Sequence, residues 1–377
     1  MSPMRVDVHA IEPIAEEWDR LADELGAPPF ARPGWTSAWW RSFGRGSLRV
    51  LTVGAADGLT GILPVARLGP IVRSPTNSES PSLGFLAGEE ASARRLAAAL
   101  FSTGARRLDL SPVDPDEPGS RSLEEEANVR GFRTVTRPLL LSPYVSTRGD
   151  WKTYQAGVSA KLRSEMGRRR RRLEELGEVR LEVTAGGEHL ESLLAEGFRV
   201  ESSGWKGAQG TAIDSNPRTR RFYREVARWA DHRGWLRLAF LRLDGRPIAF
   251  DLSLEADRVH FLLKTGFDHA FHKFGPGVIL RSMMLERAFS SPIDTYEFLG
   301  TVVGENNRWK LDWTEEYRSL LRFQAFAPSI AGTVDRARFR YGVPAAHRAR
   351  ASLGRALGPS GRDVVKRGRR LLRRLVV

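Results

Sequence analysis

Ile14, Trp18, Leu21, Ala22 and Leu25 recur at helical spacing, and Gly26 stands where a C-cap would fall, so the chain opens with a helix. Phe30, Trp35, Trp39, Trp40 and Phe43 then form an aromatic stretch. Leu48–Val53 alternates as a strand, Asp57-Gly58 is a hairpin turn, and Leu59–Leu68 returns. Pro64 lies inside that run, which predicts an edge position or a bend. Leu108–Leu110 is a further short strand, and Pro112–Ser122 reads as a loop. Phe132–Val145 holds two prolines and leads into a better patterned segment.

From Ser159 to Leu176 the residues form helix, with Gly177 as the stop. Val179–Val183 alternates as a strand and His189–Ser203 is helical. Asn216-Pro217 supplies an N-cap and a first-turn proline for a helix through Phe222, Val226 and Trp229. Trp235–Leu243, Pro247–Leu254 and Arg258–Lys264 form an antiparallel meander, with Asp244-Gly245 at its first turn. Between Lys264 and the strand Thr295–Leu299 lies the glycine-rich loop Phe274-Gly275-Pro276-Gly277, followed by the apolar helix Val278–Phe289. A connection of that length with an internal helix suits a crossover between parallel strands. The loop Gly300–Arg308 and an apolar strand at Leu320–Phe326 close the segment.

Length and composition bound these elements. The 377 residues suit two domains, and 41% hydrophobic with 28% charged residues is an ordinary globular balance. No apolar run approaches the ~20 residues that span a bilayer, and Met1–Pro13 lacks the order of a signal peptide, so a cytoplasmic protein is expected. Without cysteine there is no disulfide, thiolate metal site or cysteine nucleophile. His269 and His272 stand near Asp268, but outside any helical metal-binding pattern, and read as a solvated loop; no metal is expected. Residues 331–377 hold thirteen Arg or Lys against two Asp, so the tail carries +11 of the net +14 and the other 330 residues carry +3. The body is therefore nearly neutral, which weakens a nucleic-acid reading.

A Gly-Pro-Gly turn before a helix has a physical use. Its glycines let backbone N–H groups approach an anion, and the helix start adds about half a positive charge. Considered alone, the pattern is also ordinary turn punctuation. Arg168–Arg172 is a run of five arginines, with Lys161 and Arg163 earlier. Consecutive helical residues point around the whole circumference, so only part of that run can face one ligand.

Glu201-Ser202-Ser203-Gly204-Trp205-Lys206-Gly207, the hairpin from Gly234-Trp235 to Phe250, Lys264-Thr265-Gly266-Phe267-Asp268 and Gly275-Pro276-Gly277 resemble the CelD/BcsL-type acetyltransferases. Tyr296-Glu297-Phe298-Leu299-Gly300, Trp309-Lys310-Leu311-Asp312-Trp313 and the aromatic opening at Pro29–Phe43 extend the resemblance over roughly 15–327. That family is a branch of the GNAT acyltransferases related to the FemABX transferases. The resemblance implies an α/β fold of tandem GNAT-like units on mixed sheets. The divisions are 1–150, a degenerate N-terminal unit; 151–330, the acyltransferase unit; and 331–377, a basic tail. It implies acetyl-CoA or another acyl-CoA as donor, with its pyrophosphate on Phe274, Gly275, Pro276, Gly277 and Val278 and with Lys264 nearby. The loop departs from the usual pattern, in which Arg or Gln precedes two spaced glycines. Such transfer needs a deprotonated acceptor about 3 Å from the thioester carbon and a stabilised oxyanion. Asp251, Glu297 and Asp312 are candidate bases and Tyr296 a candidate acid for the thiolate, each with a bland alternative as a solvated or core residue. Trp205, Lys206, Lys310 and Trp313 are candidate contacts for a small-molecule or glycan acceptor, such as a sugar or envelope precursor. The alternatives are a FemABX-like transferase using aminoacyl-tRNA and a catalytically inactive membrane-associated binding module.

In the tail, Val364, Val365, Gly368, Leu371, Leu372, Leu375 and Val376 follow helical spacing, while Lys366, Arg367, Arg369, Arg370, Arg373 and Arg374 fill the other face. Such a basic amphipathic helix suits an anionic membrane surface, placing the protein at the inner face of the plasma membrane through residues 360–377. Docking on its own domain, a partner protein or RNA is the alternative. Deleting 360–377 should abolish co-sedimentation with anionic vesicles; unchanged sedimentation would rule membrane binding out.

Overall fold

The computed structural model describes residues 5–55, 58–204, 207, 210–301 and 308–342. The first half runs β1 (Arg5–His9), α1 (Ala15–Glu24), α2 (Pro33–Phe43), β2 (Ser47–Ala55), β3 (Gly58–Leu68), β4 (Ile71–Arg73), β5 (Leu86–Ala87), α3 (Glu90–Phe101), β6 (Arg107–Val113), α4 (Pro118–Val129) and β7 (Arg133–Ser146). After α5 (Trp151–Gly157) and α6 (Ala160–Glu174) the order recurs. It runs β8 (Val179–Thr184), α7 (Leu190–Ser202), α8 (Pro217–His232), β9 (Leu236–Leu243), β10 (Arg246–Ala256), β11 (Val259–Phe267), α9 (Pro276–Phe289) and β12 (Thr295–Glu297). β13 (Tyr317–Phe326) and α10 (Ile330–Ala337) follow.

The strands form one sheet in the order β1-β2-β3-β4-β6-β13-β7-β12-β11-β10-β9-β8, with β5 on β3. Read inward from its two edges, the sheet repeats itself. Each half ends in a parallel pair, β4 with β6 and β11 with β12, bridged by a helix. Each half then gives its last strand to the other: β7 pairs β12, and β13 pairs β6. β7 and β13 pair with each other from Tyr317↔Pro143 to Phe326↔Arg133. The strand that the sequence groups with the second unit thus lies between two strands of the first.

Helix packing joins the halves again. Phe30, Trp35 and Trp39 are buried with Phe222, Tyr223, Val226 and Phe261 of the second half. Trp35 meets Phe222 edge-on at 5.1 Å, and Phe30 meets Phe261 at 5.0 Å, contacts worth about 0.5–1.5 kcal/mol each beyond burial. Gly34 lets α2 approach α8, since a Cβ there would strike the Trp229 ring. The aromatic stretch is the joint between the halves.

Most expected elements stand where the pattern put them, including the crossover helix and its parallel strands. Asn216 caps α8 by accepting from Arg218 N at 2.9 Å. Three expectations change. Pro64 lies in an interior strand; it falls between the residues of β3 that pair with β5 and those that pair with β4, where no ladder donor is needed. The expected loop Pro112–Ser122 contains the start of α4, because Pro118 sits at its first turn after an extended Glu117. The expected strand Thr295–Leu299 stops at Glu297, and Leu299 turns to φ 58°.

Because each half lacks a strand without the other, residues 1–150 and 151–342 expressed apart should expose unpaired edges and aggregate, whereas the whole protein unfolds in one transition. Two soluble fragments with sharp melts of their own would contradict the exchange.

Candidate functional site

β11 is the fourth strand from the β8 edge, with helices over both faces, yet Leu263–Thr265 are half-exposed within otherwise largely buried neighbours. A bulge causes this. Ser253 pairs with Leu262 and Leu252 with Lys264, so Leu263 is the extra residue and Lys264 is re-aimed toward α7 and α8. On its other side β11 pairs with β12 for three residues, Val259–Phe261 against Thr295–Glu297. Beyond them the chains part: Phe298 N donates to Pro143 O of β7, and Leu299 takes its left-handed turn. Bulge and parting together open the sheet beside Lys264.

On the α9 side, Arg281 enters this opening. It is buried, donates to Asp251 Oδ1 at 3.0 Å and to the Tyr296 hydroxyl, and reaches Thr265 Oγ1 at 3.5 Å. The rings of Tyr296, Phe298 and Trp309 surround its guanidinium at 5.5–5.8 Å. Burial pushes the Tyr296 hydroxyl pKa above the usual phenol value, against the pull of Arg281, so it stays protonated. Behind it His260 stacks on Tyr296 at 4.4 Å, and its Nδ1 lies 3.1 Å from Glu255. Burial lowers the His260 pKa despite Glu255. Burial alone would raise Glu255, but hydrogen bonds from His260 and Arg287 hold it well below the usual carboxylate range.

At the start of α9, Gly275 adopts φ 61°, the left-handed region that favours glycine. The Arg169 guanidinium stands against it, where a Cβ would collide. Arg172 lies over the Phe274 ring at 5.6 Å. On α6 the buried Leu162, Met166 and Leu173 set the inward face, and Arg169 is the arginine of the run that shares it. The Val278 and Ile279 amides turn back onto Gly275 O at 2.9 and 3.3 Å, while Gly277 is half-exposed. Helix dipole and Arg169 with Arg172 bring positive charge to this corner, where Arg169 is also paired with Glu165 at 3.0 Å.

On the opposite face, Lys264 Nζ lies 2.8 Å from Glu79 Oε2, an oxygen that also accepts from the Tyr223 hydroxyl at 2.8 Å. Glu79 comes from the first half, on the connection after β4. Burial, then Glu79 and Glu201, push the Tyr223 hydroxyl pKa well up, which keeps it a donor. Gly266 lets α7 lie close, since its Cβ would be 2.5 Å from Glu201 Cα.

The sequence candidates fall into separate roles. Asp251, a candidate base, is the counter-ion of Arg281, and Tyr296, the candidate acid, accepts a hydrogen bond from the same guanidinium. Glu297 is buried, paired with Arg318 and within 3.5 Å of Ser142 Oγ. Lys310 directs its ammonium to the carbonyls of Phe298, Leu299 and Gly300 at 2.7, 3.1 and 3.0 Å, and Trp313 is buried in the core beneath α9. Lys310 therefore shapes the strand end, and Trp313 packs in the core. Asp312 closes the 3-10 turn Arg308–Asp312. Trp205 and Lys206 lie outside the described residues. Gly275, Pro276, Gly277 and Val278 gather at the cationic corner, and Lys264 faces the other side of the sheet.

Residues missed from sequence are Arg281, Tyr223 and Glu79, whereas Arg169 belongs to the arginine run noted there. Arg281 carried a signal: it shares the inward stripe of Met284, Leu285 and Ala288, a charge where an apolar residue is expected. Glu79 carried none, because its partners are 144 and 185 residues away.

Residues 160–311 match the family model of the acetyltransferase (GNAT) domain. A FemX structure is similar over 84% of this chain and 96% of its own, at 12% identity and a TM-score of 0.58. The C-terminal domain of a putative lysylphosphatidylglycerol synthetase from Agrobacterium fabrum is similar over 86% and 95%, at 12% and 0.52. A conserved protein of unknown function from Bacteroides thetaiotaomicron VPI-5482 is similar over 87% and 100%, at 12% and 0.54. At that identity the likeness is one of fold. No curated protein matches this chain. The fold is a mixed α/β sheet built from two units of similar topology, and the match to the GNAT acetyltransferase domain lies in the second of them.

Replacing Arg281 by Met leaves Asp251 buried without its counter-ion, so Arg281→Met should cost about 3–5 kcal/mol in chemical denaturation. Adding Asp251→Leu should recover much of the loss; a double variant no better than the single one would show that the pair is not coupled.

Proposed function

We propose that this protein is a CelD/BcsL-type acyltransferase that moves an acyl group from acetyl-CoA or another acyl-CoA to an amine or hydroxyl. The acceptor class is a small molecule or glycan, such as a sugar or cell-envelope precursor. The observation that carries this is the half-exposed bulge Leu263–Thr265 beside a parting parallel pair whose crossover helix begins at a cationic corner. A diphosphate at that corner would meet the Gly277 amide, the helix dipole and the guanidinium groups of Arg169 and Arg172. The acyl end of the donor would then reach the bulge, where an extra strand residue frees backbone donors for a developing oxyanion.

The first half is read as the non-catalytic partner. Its own opening is stitched shut, with Ser74 Oγ donating to Ser111 O at 2.8 Å and accepting from Ser111 N at 3.0 Å. α3 begins with Glu89 and Glu90, which repel phosphate from its positive end.

A second reading, aminoacyl transfer from a charged tRNA as in the FemABX transferases, is favoured by one observation. Arg281 and Lys310 already fill the opening and its strand-end carbonyls, which crowds a pantetheine arm. Among the described residues no helix is long and apolar enough to cross a membrane, and Ile330 and Val334 of α10 stand exposed shortly before the basic tail.

Titration with acetyl-CoA separates the readings: the acyl-CoA reading expects saturable binding, and the tRNA reading expects none. An added Cβ at Gly277 comes no nearer than 3.4 Å to Phe267, so Gly277→Trp should fold while blocking the corner. It should weaken acetyl-CoA at least ~10-fold, as should Arg169→Ala, each removing about 1.4 kcal/mol or more of anion contact. Unchanged affinity in both would place the donor elsewhere.

A further inference from the structure

The first half's connection between β4 and α3 is the counterpart of the second half's connection between β11 and α9. In the second half that connection carries Gly275 and the cationic corner. In the first half it crosses to the neighbouring unit and sets Glu79 beside Lys264, at the bulge. An ion pair of surface side chains far from any site is usually worth little and means little. This one differs in three respects. Its members are 19% and 16% exposed, the same Glu79 oxygen is fixed by the buried Tyr223 hydroxyl, and its lysine stands where the sheet opens.

Resting on the acyl-transfer reading, we propose that Glu79 and Lys264 form an amine-activating pair completed across the two halves, and that Lys264 itself takes the acyl group when a thioester is bound without an acceptor. A carboxylate 2.8 Å from an ammonium is already placed to remove its proton. Glu79 takes one proton from Lys264 Nζ, and the freed nitrogen pair attacks the thioester carbon. The C–N bond forms and the C–S bond breaks. The departing thiolate takes the second nitrogen proton, leaving an amide and a free thiol, and Glu79 releases its proton to solvent. No oxidant, metal or further reactant is needed for this balance. An external amine acceptor would displace Lys264 from Glu79 and follow the same course, so the lysine holds the place of the substrate's ammonium. Tyr223 is a positioning residue in this scheme, holding the carboxylate toward the opening.

Incubating the full chain with acetyl-CoA alone and mapping acetyl-lysine by mass spectrometry tests the pair. Lys264 should acetylate ahead of the exposed Lys152, which reports uncatalysed reaction. Glu79→Gln should slow acetylation of Lys264 about 100-fold, the scale of a lost general base, with acetyl-CoA affinity and thermal midpoint unchanged. If the Glu79→Gln variant loses its fold, Glu79→Asp serves instead, with a smaller loss expected from the retracted carboxylate. Acetylation of Lys264 no faster than Lys152, or equally fast in wild type and variant while acetyl-CoA binds, overturns the pair and leaves the transferase reading standing. No binding of acetyl-CoA overturns both.

Discussion

The exchanged ladder of β7 with β13 is the constraint on which the rest of this molecule depends. Each strand completes the sheet of the half it does not belong to, so the two halves share backbone hydrogen bonds that neither can satisfy alone. β7 also fixes the opening. It pairs with β12 over Thr295–Glu297 and then takes the Phe298 amide onto Pro143, which draws the chain away from β11. The parting of β11 and β12 is thus decided by a strand of the first half.

Two electrostatic environments meet across that opening. On the α9 side a buried ion pair, Arg281 with Asp251, lies among aromatic rings and continues through Tyr296 to His260 and Glu255. Low polarity makes such a pair rigid when complete and costly when broken. On the α7 and α8 side the carboxylate of Glu79 meets an ammonium and a phenol within reach of solvent. The first environment shapes the opening; the second has groups that can move a proton. At the start of α9, Arg169, paired with Glu165, and Arg172 bring positive charge to the glycine turn.

The duplicated order of elements brings out where the two similar halves differ. In one, the connection after the fourth strand ends in glycines under a basic helix. In the other it carries a carboxylate across the interface, and its own opening is closed by Ser74.

Local pattern alone determined most elements of the second half: the meander, the proline-led helix at Asn216-Pro217 and the glycine loop before the crossover helix. Those features follow from spacing, capping and turn chemistry, which act within a few residues. The roles of the charged and aromatic candidates were decided elsewhere. Asp251 and Lys310 look like site residues in sequence because a charge in a strand or beside a tryptophan has no local explanation. Their partners, Arg281 and the carbonyls after β12, become visible only in three dimensions. Glu79 lay in an unremarked Ser- and Pro-rich stretch, and the exchange of β7 and β13 left no periodic mark. Sequence by itself determined where the chain bends and which faces are apolar; the tertiary structure decided which half supplies which side of the opening, because pairing across 144 or more residues is governed by packing rather than by local propensity.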